Sequence, residues 1–567
     1  MFRFLLVSLN IDAILQETTT HRRRQKLSMM ADGLGLGDAY GATLDRIRGQ
    51  GGEKARLGMA TLMWISHAER PLKSDELCHA LAIDIGSVNL NIDNIPSIGT
   101  LMSCCQGLVV VDSKASIVRL IHFTLQEYLR AHPELFGTAH SVIAETCLSY
   151  LNSQQVRALS TSPSPDLRGT PFLEYSSVYW GVHAKRDLSD YAKLLVLKLF
   201  DGHNNHIPIK ILLEDRGYYT YSISSDKLCL FGGLHWASAF GIDEIVAGLV
   251  EVEGCDINQI DCVGNTPLVW ATWNGHRGVV KVLLGRGDVN PEKPNIAGQT
   301  PLCFAAENGH EEVVKILLER GNVNPERLGL DGQTPLCCAA ASGHEGVVKI
   351  LLGRSDVNPD NPYSAGQTPL CCAAKYGREG VVKILLQRGD VDPNRTNRPG
   401  DAPLMLAAEN GHEGVVKILL GQGNIDPEKP NWAGETPLCI AAWKGHEGVV
   451  KALLGRGDVN PNKPNKLGRT PFWCAVWNGQ EGVVEILLGR DDVNPNNKPD
   501  RFGETPLWGA VWNGHEGMVR LLLGRNDINF NTLDIYGRTL LRCATERGHA
   551  GVIALLQPLE STTSSTT

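Results

Sequence analysis

Seven histidines stand at one position of a repeating sequence: His276, His310, His344, His412, His446, His515 and His549. Imidazoles in a regular row suggest metal binding or proton relay. The spacing argues against both. Neighbouring members lie one repeat or more apart, about 10 Å per layer of packed helix, whereas a shared metal needs ligand bonds of about 2 Å. Arg378 and Gln480 take the same position in two other repeats, which a ligand set would not tolerate. The expected role is a hydrogen bond at a helix start that ties the turn between two helices.

Other reactive groups lead the same way. The 15 cysteines include the adjacent pairs Cys337-Cys338 and Cys371-Cys372, whose side chains diverge on a helix. No zinc-type spacing is present, so reduced thiols serving as small core residues are expected. The sequence has no GxxxxGK[ST] phosphate loop and no GxSxG nucleophile elbow. No catalytic residue, metal or cofactor is expected. The apolar fraction of 43%, the charged fraction of 20% and the net charge of −8 fit a folded chain without a nucleic-acid-binding charge balance. The short basic cluster His21–Lys26 reads as a solvated helix face.

Four tryptophans also share a position, two residues before a turn glycine: Trp273, Trp443, Trp477 and Trp512. Glu307, Ala341, Lys375 and Glu409 occupy it elsewhere, so the position is expected to be exposed. Ile296, Trp432, Lys466 and Arg501 vary as freely in a nearby loop. Exposed aromatics of this kind are preferred anchors of protein interfaces.

The elements that hold these residues follow from the period. Thr-Pro-Leu begins at Thr266, Thr300, Thr334, Thr368, Thr436 and Thr505, with variants at Ala402, Thr470 and Thr539. Successive starts are 34 residues apart, with one step of 35. Threonine is a helix N-cap and proline suits the first helical position. A short helix then ends at glycine, and a second, such as EEVVKILLER from Glu311, carries an apolar stripe through Val313, Val314, Ile316, Leu317 and Leu318. Each helix is too short to stand alone. Stacking through Leu302, Ala305, Ala306 and their counterparts supplies the core.

This unit, GxTPLxxAAxxGHxxVVKxLLxRxDVN, resembles the ankyrin repeat, and about ten copies are expected over residues 226–557. The resemblance implies a protein-binding scaffold that meets its partner through loop tips and the concave face of the first helices, where the tryptophan position falls. The segment PEKPN lengthens the tips, and proline stiffens them. Polar substitutions at Arg538, Arg542, Glu546 and Arg547 are expected to cap the last repeat. Ala402 replaces a capping threonine and predicts a local loss of about 1 kcal/mol. Residues 558–567 read as a disordered tail.

Residues 1–225 lack the period. Three helical segments from about Ala55 and two short β-type runs, Leu108–Val111 and Ile117–Ile121, fit a winged helix over 55–135. With VRLIHFTLQEYL, this region resembles the winged-helix module of fungal NACHT-type, NOD-like (STAND) proteins, a module also associated by name with a GPI inositol-deacylase. Residues 136–225 resemble the helical connector that follows it, and residues 1–54 the tail of the ATPase region. A mostly α fold is expected: winged helix, connector and ankyrin solenoid. The resemblance implies a non-enzymatic, cytoplasmic binding scaffold that is a truncated NOD-like regulator recognising a protein. A fragment of a full-length NACHT sensor in defence or self/non-self signalling is the alternative. A winged-helix DNA-binding role is less favoured, since IGTLMSCCQGL contains no Arg or Lys. Neither a small-molecule substrate nor a membrane is expected as a partner, the N-terminal apolar run being broken at Asn10 and Asp12.

Overall fold

The computed structural model describes residues 18–25, 36–87, 89–112, 114–161, 167–200, 208, 211, 232–329, 332–362, 366–496, 499–525, 527–534 and 536–563. The N-terminal apolar run, Lys26, the end of the expected connector and residues 564–567 of the expected tail lie outside them. Two compact units are present: Met1–Ala271 with Gly278–Val289, and Thr272–Arg277 with Asn290–Thr567.

In the first unit, helix α1 (Leu36–Gly49) precedes α2 (Gly52–His67), α3 (Ser74–Leu81) and α4 (Ile98–Cys104). Strands β1 (Val109–Asp112) and β2 (Ile117–Leu120) pair antiparallel, Val109 opposite Leu120 and Val111 opposite Val118. This is the winged-helix layout, with α5 (Phe123–Ala131) after the hairpin. Leu62, Leu77, Leu101, Leu108 and Leu125 build its core. Glu76 is buried at the head of α3, where its carboxylate accepts from Lys73 N at 2.8 Å and from the Arg70 guanidinium at 2.7 and 2.8 Å. Upstream, Arg22 and Arg24 lie exposed on a short helical stretch at 20–25.

Helices α6 (Ala139–Leu151), α7 (Gln154–Thr161), α8 (Leu173–Arg186) and α9 (Asp190–Phe200) follow. Helices α2, α6 and α8 bring together His67, His140 and His183: the His67 and His140 rings are 5.4 Å apart, and His140 Nδ1 lies 2.8 Å from His183 Nδ1. Trp180 on α8 packs at 4.9 Å against Phe240 of the first repeat. Only glycine fits at position 181, because an added Cβ would fall 2.1 Å from the Phe240 ring.

Among the described residues the repeats form ten successive helix pairs, from Gly233–Phe240 with Asp243–Val250 to Leu540–Arg547 with Ala550–Thr563. The third pair, Pro301–Glu307 and Glu311–Leu318, shows the logic. Thr300 Oγ1 accepts from Cys303 N at 3.3 Å, and Pro301 opens the helix. Leu302, Ala305, Ala306, Val313, Val314 and Leu317 are buried, whereas Ile316 is half-buried. Ala402 makes no side-chain cap, although its backbone matches that of the threonines. In the Arg-x-Asp segments that follow the second helices, Arg388 forks onto Asp390 at 2.7 and 2.9 Å and reaches back to the Leu352 carbonyl at 2.8 Å. The Arg388 guanidinium holds the exposed Asp390 carboxyl below its ordinary range.

The last helix runs through Pro558 to Thr563, where the sequence predicts a disordered tail from residue 558. Pro558-Leu559 stands where most other repeats have Gly-Arg after the second helix, so the arginine fork onto an aspartate that follows those helices has no counterpart here.

Candidate functional site

Among the described residues, successive repeats send out tight hairpins. In the third repeat's finger, Asn295 N donates to the Gln299 carbonyl at 3.0 Å, Gly298 N to the Asn295 carbonyl at 2.9 Å, and Gln299 N to Asn295 Oδ1 at 3.0 Å. Asn431, Asn465 and Asp500 repeat the arrangement. Adjacent fingers bond to one another: Trp432 N to the Pro399 carbonyl at 3.1 Å, Lys466 N to Ala433 at 3.1 Å, and Arg501 N to Leu467 at 2.9 Å. The backbone of the tips is thus fixed while their side chains lie exposed, the Lys466 ammonium turning back to donate to the Trp432 carbonyl. Ile296 and Trp432 are each 68% exposed, and Lys466 and Arg501 are exposed beside them.

The tryptophans on the first helices differ from the sequence expectation. Trp273, Trp443, Trp477 and Trp512 are half-buried rather than exposed. A broad planar ring gains by stacking on its neighbours, and the neighbours here are aromatic. Trp273 stacks on Phe304 at 4.6 Å, Trp477 on Trp473 at 4.8 Å and Trp512 on Trp508 at 4.8 Å. Trp443 and Trp477 both pack on the buried cluster of Cys439, Trp473 and Cys474. Cations complete the stacks. Arg469 sits 4.0 Å above Trp473, and Arg547 sits 3.6 Å above Trp512. At the same position, burial raises the pKa of the Glu307 carboxyl above its ordinary value.

The histidines hold repeats together, in a direction the sequence does not reveal. The bond runs to the preceding repeat rather than within the turn. His310 Nε2 donates to the Trp273 carbonyl at 2.8 Å, His344 to Glu307 at 2.9 Å and His446 to Glu409 at 3.0 Å. The carbonyl only accepts, so Nε2 carries the proton. Arg378 Nε and Gln480 Nε2 supply the same donor, to Ala341 and Trp443. Gly309, with φ +74°, lies so close to the His344 ring that a Cβ would come within 2.5 Å of Nδ1. Among the described residues no group of three or more His, Cys, Asp or Glu side chains is placed to hold a metal, and no helix is long and apolar enough to cross a membrane.

Sequence reasoning missed part of this surface. Phe502 and Tyr536, one residue past the tip position it singled out, are exposed, as are Leu328 and Leu533. Their signal was present as apolar residues inside otherwise polar loops. Of the polar residues on the last repeat, Arg542, Glu546 and Arg547 are exposed. Arg538 is half-buried, bonding to Asp534 at 2.7 Å and to Glu546 at 3.1 Å.

A family model for ankyrin repeats matches in overlapping placements that run from residue 203 to residue 565. That is well over half of the chain, which therefore belongs to the ankyrin-repeat family. A model for the winged-helix domain of GPI inositol-deacylase matches residues 46–139. Among solved structures, the human ASB11 ankyrin repeat domain is 30% identical with a TM-score of 0.36, covering 40% of this chain and 98% of its own. The ankyrin repeat domain of Bcl-3, a member of the IκB protein family, is 27% identical with a TM-score of 0.35, covering 39% and 97%. No curated protein gives a match. The repeats make the chain a protein–protein interaction module.

Proposed function

We propose that the chain recognises a protein partner through its finger tips and the adjoining first-helix face, using Ile296, Trp432, Lys466 and Arg501 as primary contacts. Trp273, Trp443, Trp477 and Trp512, half-buried on the first helices, add to that surface. The observation that carries this reading is Trp432: a large aromatic, 68% exposed, on a loop whose backbone is bonded to the next finger at 3.1 Å. Exposed aromatics on a rigid frame lose little entropy on binding. The mechanism is binding without catalysis. The winged-helix match ahead of the repeats supports placing the chain in a NOD-like regulator of the NACHT class, in the cytoplasm.

Affinity capture from the source cell's lysate tests this, using the full chain beside a Trp432→Ala/Ile296→Ala variant and a Trp477→Ala/Trp512→Ala variant. A protein retained by the wild type and lost by the tip variant, with its melting unchanged, supports the assignment. Equal capture by wild type and tip variant removes the tips from the interface.

A further inference from the structure

The repeats are joined by a clasp that recurs from one to the next. Glu292, Glu326, Asn394, Glu428, Asn462 and Asn496 each accept, through a side-chain oxygen, the backbone N–H of a residue in the following repeat: Asn324, Asn358, Asp426, Asn460, Asn494 and Asn529. Where the clasp is asparagine, its Nδ2 also donates to a carbonyl two residues earlier, Asn394 to Asn424 and Asn462 to Asp492. One amide therefore grips the N–H and C=O that flank a single residue of extended chain. That residue is β-branched and buried: Ile425, Val493 or Ile528.

Beside the clasp of the ninth repeat lies a cavity of about 170 Å³, whose walls include Pro495, Asn496, Pro499, Thr505, Leu507 and Leu522. The tenth repeat closes it with Ile528, Asn529 and Thr532. A second cavity, of about 240 Å³, is lined by Phe530, Asn531, Leu533, Thr539, Leu541 and Leu556. These are the same repeat positions, one repeat further on. Nothing among the described residues supplies the closing segment there. The clasp residue of the tenth repeat is Asn531; it is exposed, and among the described residues its side-chain amide has no partner. Thr532, which lines both cavities, has a buried hydroxyl without a hydrogen bond.

We infer that this second cavity is a peptide-docking socket, distinct from the finger tips. Its occupant is an extended segment of a partner chain, with a β-branched aliphatic residue flanked on its C-terminal side by Asn or Asp. The internal junctions show what the occupant looks like, because the same walls and the same amide receive Asp-Val-Asn and Asp-Ile-Asn within this chain. The β-branched side chain fills the apolar cavity, and Asn531 takes the two backbone groups that flank it. Affinity comes from main-chain bonds and selectivity from the single pocket.

A fluorescein-labelled peptide of residues 524–534, the segment that closes the inner cavity, tests the socket by fluorescence anisotropy with the full chain. Saturable binding is expected, weakened at least tenfold by Asn531→Leu and lost when the peptide carries Ile528→Asp. Leu541→Arg obstructs the apolar wall independently, and melting curves confirm that both variants fold. Loss of binding in either folded variant supports the socket. Absence of saturable binding to the wild type, or equal binding by wild type and both variants, overturns it.

Discussion

Between the third repeat and the second, the proton on His310 Nε2 is donated to the carbonyl of Trp273 at 2.8 Å. Removing the donor deletes a partly buried hydrogen bond between repeats together with the ring packed at the turn, and such a loss is at or above the net value of an ordinary hydrogen bond. His310→Ala should therefore cost about 1–2 kcal/mol, read as a lower urea midpoint at unchanged m-value. His310→Gln should recover much of it, because Gln480 already performs the role toward Trp443. Equal losses in both variants would show that ring packing, rather than the donor, matters. The row of histidines and its tolerance of Arg and Gln were legible in the sequence. The target was not, because a carbonyl 37 positions away in the chain becomes a neighbour only once the repeats stack. The half-burial of the tryptophans was hidden for the same reason. Variability at a position shows that it tolerates water, but not that an aromatic placed there will find Phe304 or Trp473 beside it.

At the scale of the helix, capping was the most legible feature. Thr300, Thr334 and Thr368 each accept from the backbone three residues on, and Ala402 leaves that donor without a side-chain acceptor. Its backbone, at φ −77° and ψ 163°, already matches that of the threonines. Ala402→Thr should thus stabilise the chain by about 1 kcal/mol, with amide exchange slowing most in Pro403–Glu409. Uniform slowing would mean that the sixth repeat is not a soft point. The junction of α2, α6 and α8 carries a second prediction. Glu69 N donates to Tyr175 OH at 3.1 Å, and Tyr175 OH lies 2.9 Å from His183 Nε2. The hydroxyl gives its proton to Nε2, so neutral His183 donates from Nδ1 to His140. Burial pushes His183 down to about 3 and also lowers His140 and His67, with the nearby Arg186 adding to the effect on each; the Glu69 and Asp187 charges oppose it at His140, and Arg130 reinforces it at His67. A depressed imidazole stabilises the fold fully above its unfolded value of about 6.5. That stability is lost as the pH falls from there toward 3, with a slope approaching about 1.4 kcal/mol per pH unit for each histidine. Amide exchange of α2, α6 and α8, corrected for intrinsic rate, should accelerate between pH 7 and pH 5 while the later repeats change little. A flat response in these helices would mean that the cluster is already protonated or does not bear on stability.

For the whole molecule, the sequence was informative in proportion to its repetition. A period of 34 residues states ten times over which positions are core, cap and turn, so the repeats were readable from Gly232 onward. The winged helix occurs once. Its hairpin could be placed to within a residue, since the apolar runs Leu108–Val111 and Ile117–Ile121 flank the polar turn DSKAS, but the histidine junction and the Trp180–Phe240 contact depend on segments far apart in sequence. The same distinction separates binding from stability across the repeat surface. Trp432 and Ile296 bury little and touch no core, so Trp432→Ala and Ile296→Ala should each shift stability by less than about 0.5 kcal/mol. Trp477 stacks on Trp473, lies 5.5 Å from the Arg469 guanidinium and covers a buried cluster. Trp477→Ala should therefore cost about 2 kcal/mol from lost stacking and burial, seen as a lower melting temperature before any partner is added. If the two classes destabilise alike, the tips are structural and recognition must reside elsewhere. If Trp477→Ala is silent while capture fails, the helix-face tryptophans join the tips as direct contacts. In either case the stability measurement has to precede the binding one, because nearest-neighbour coupling in a repeat stack lets one softened interface weaken its neighbours.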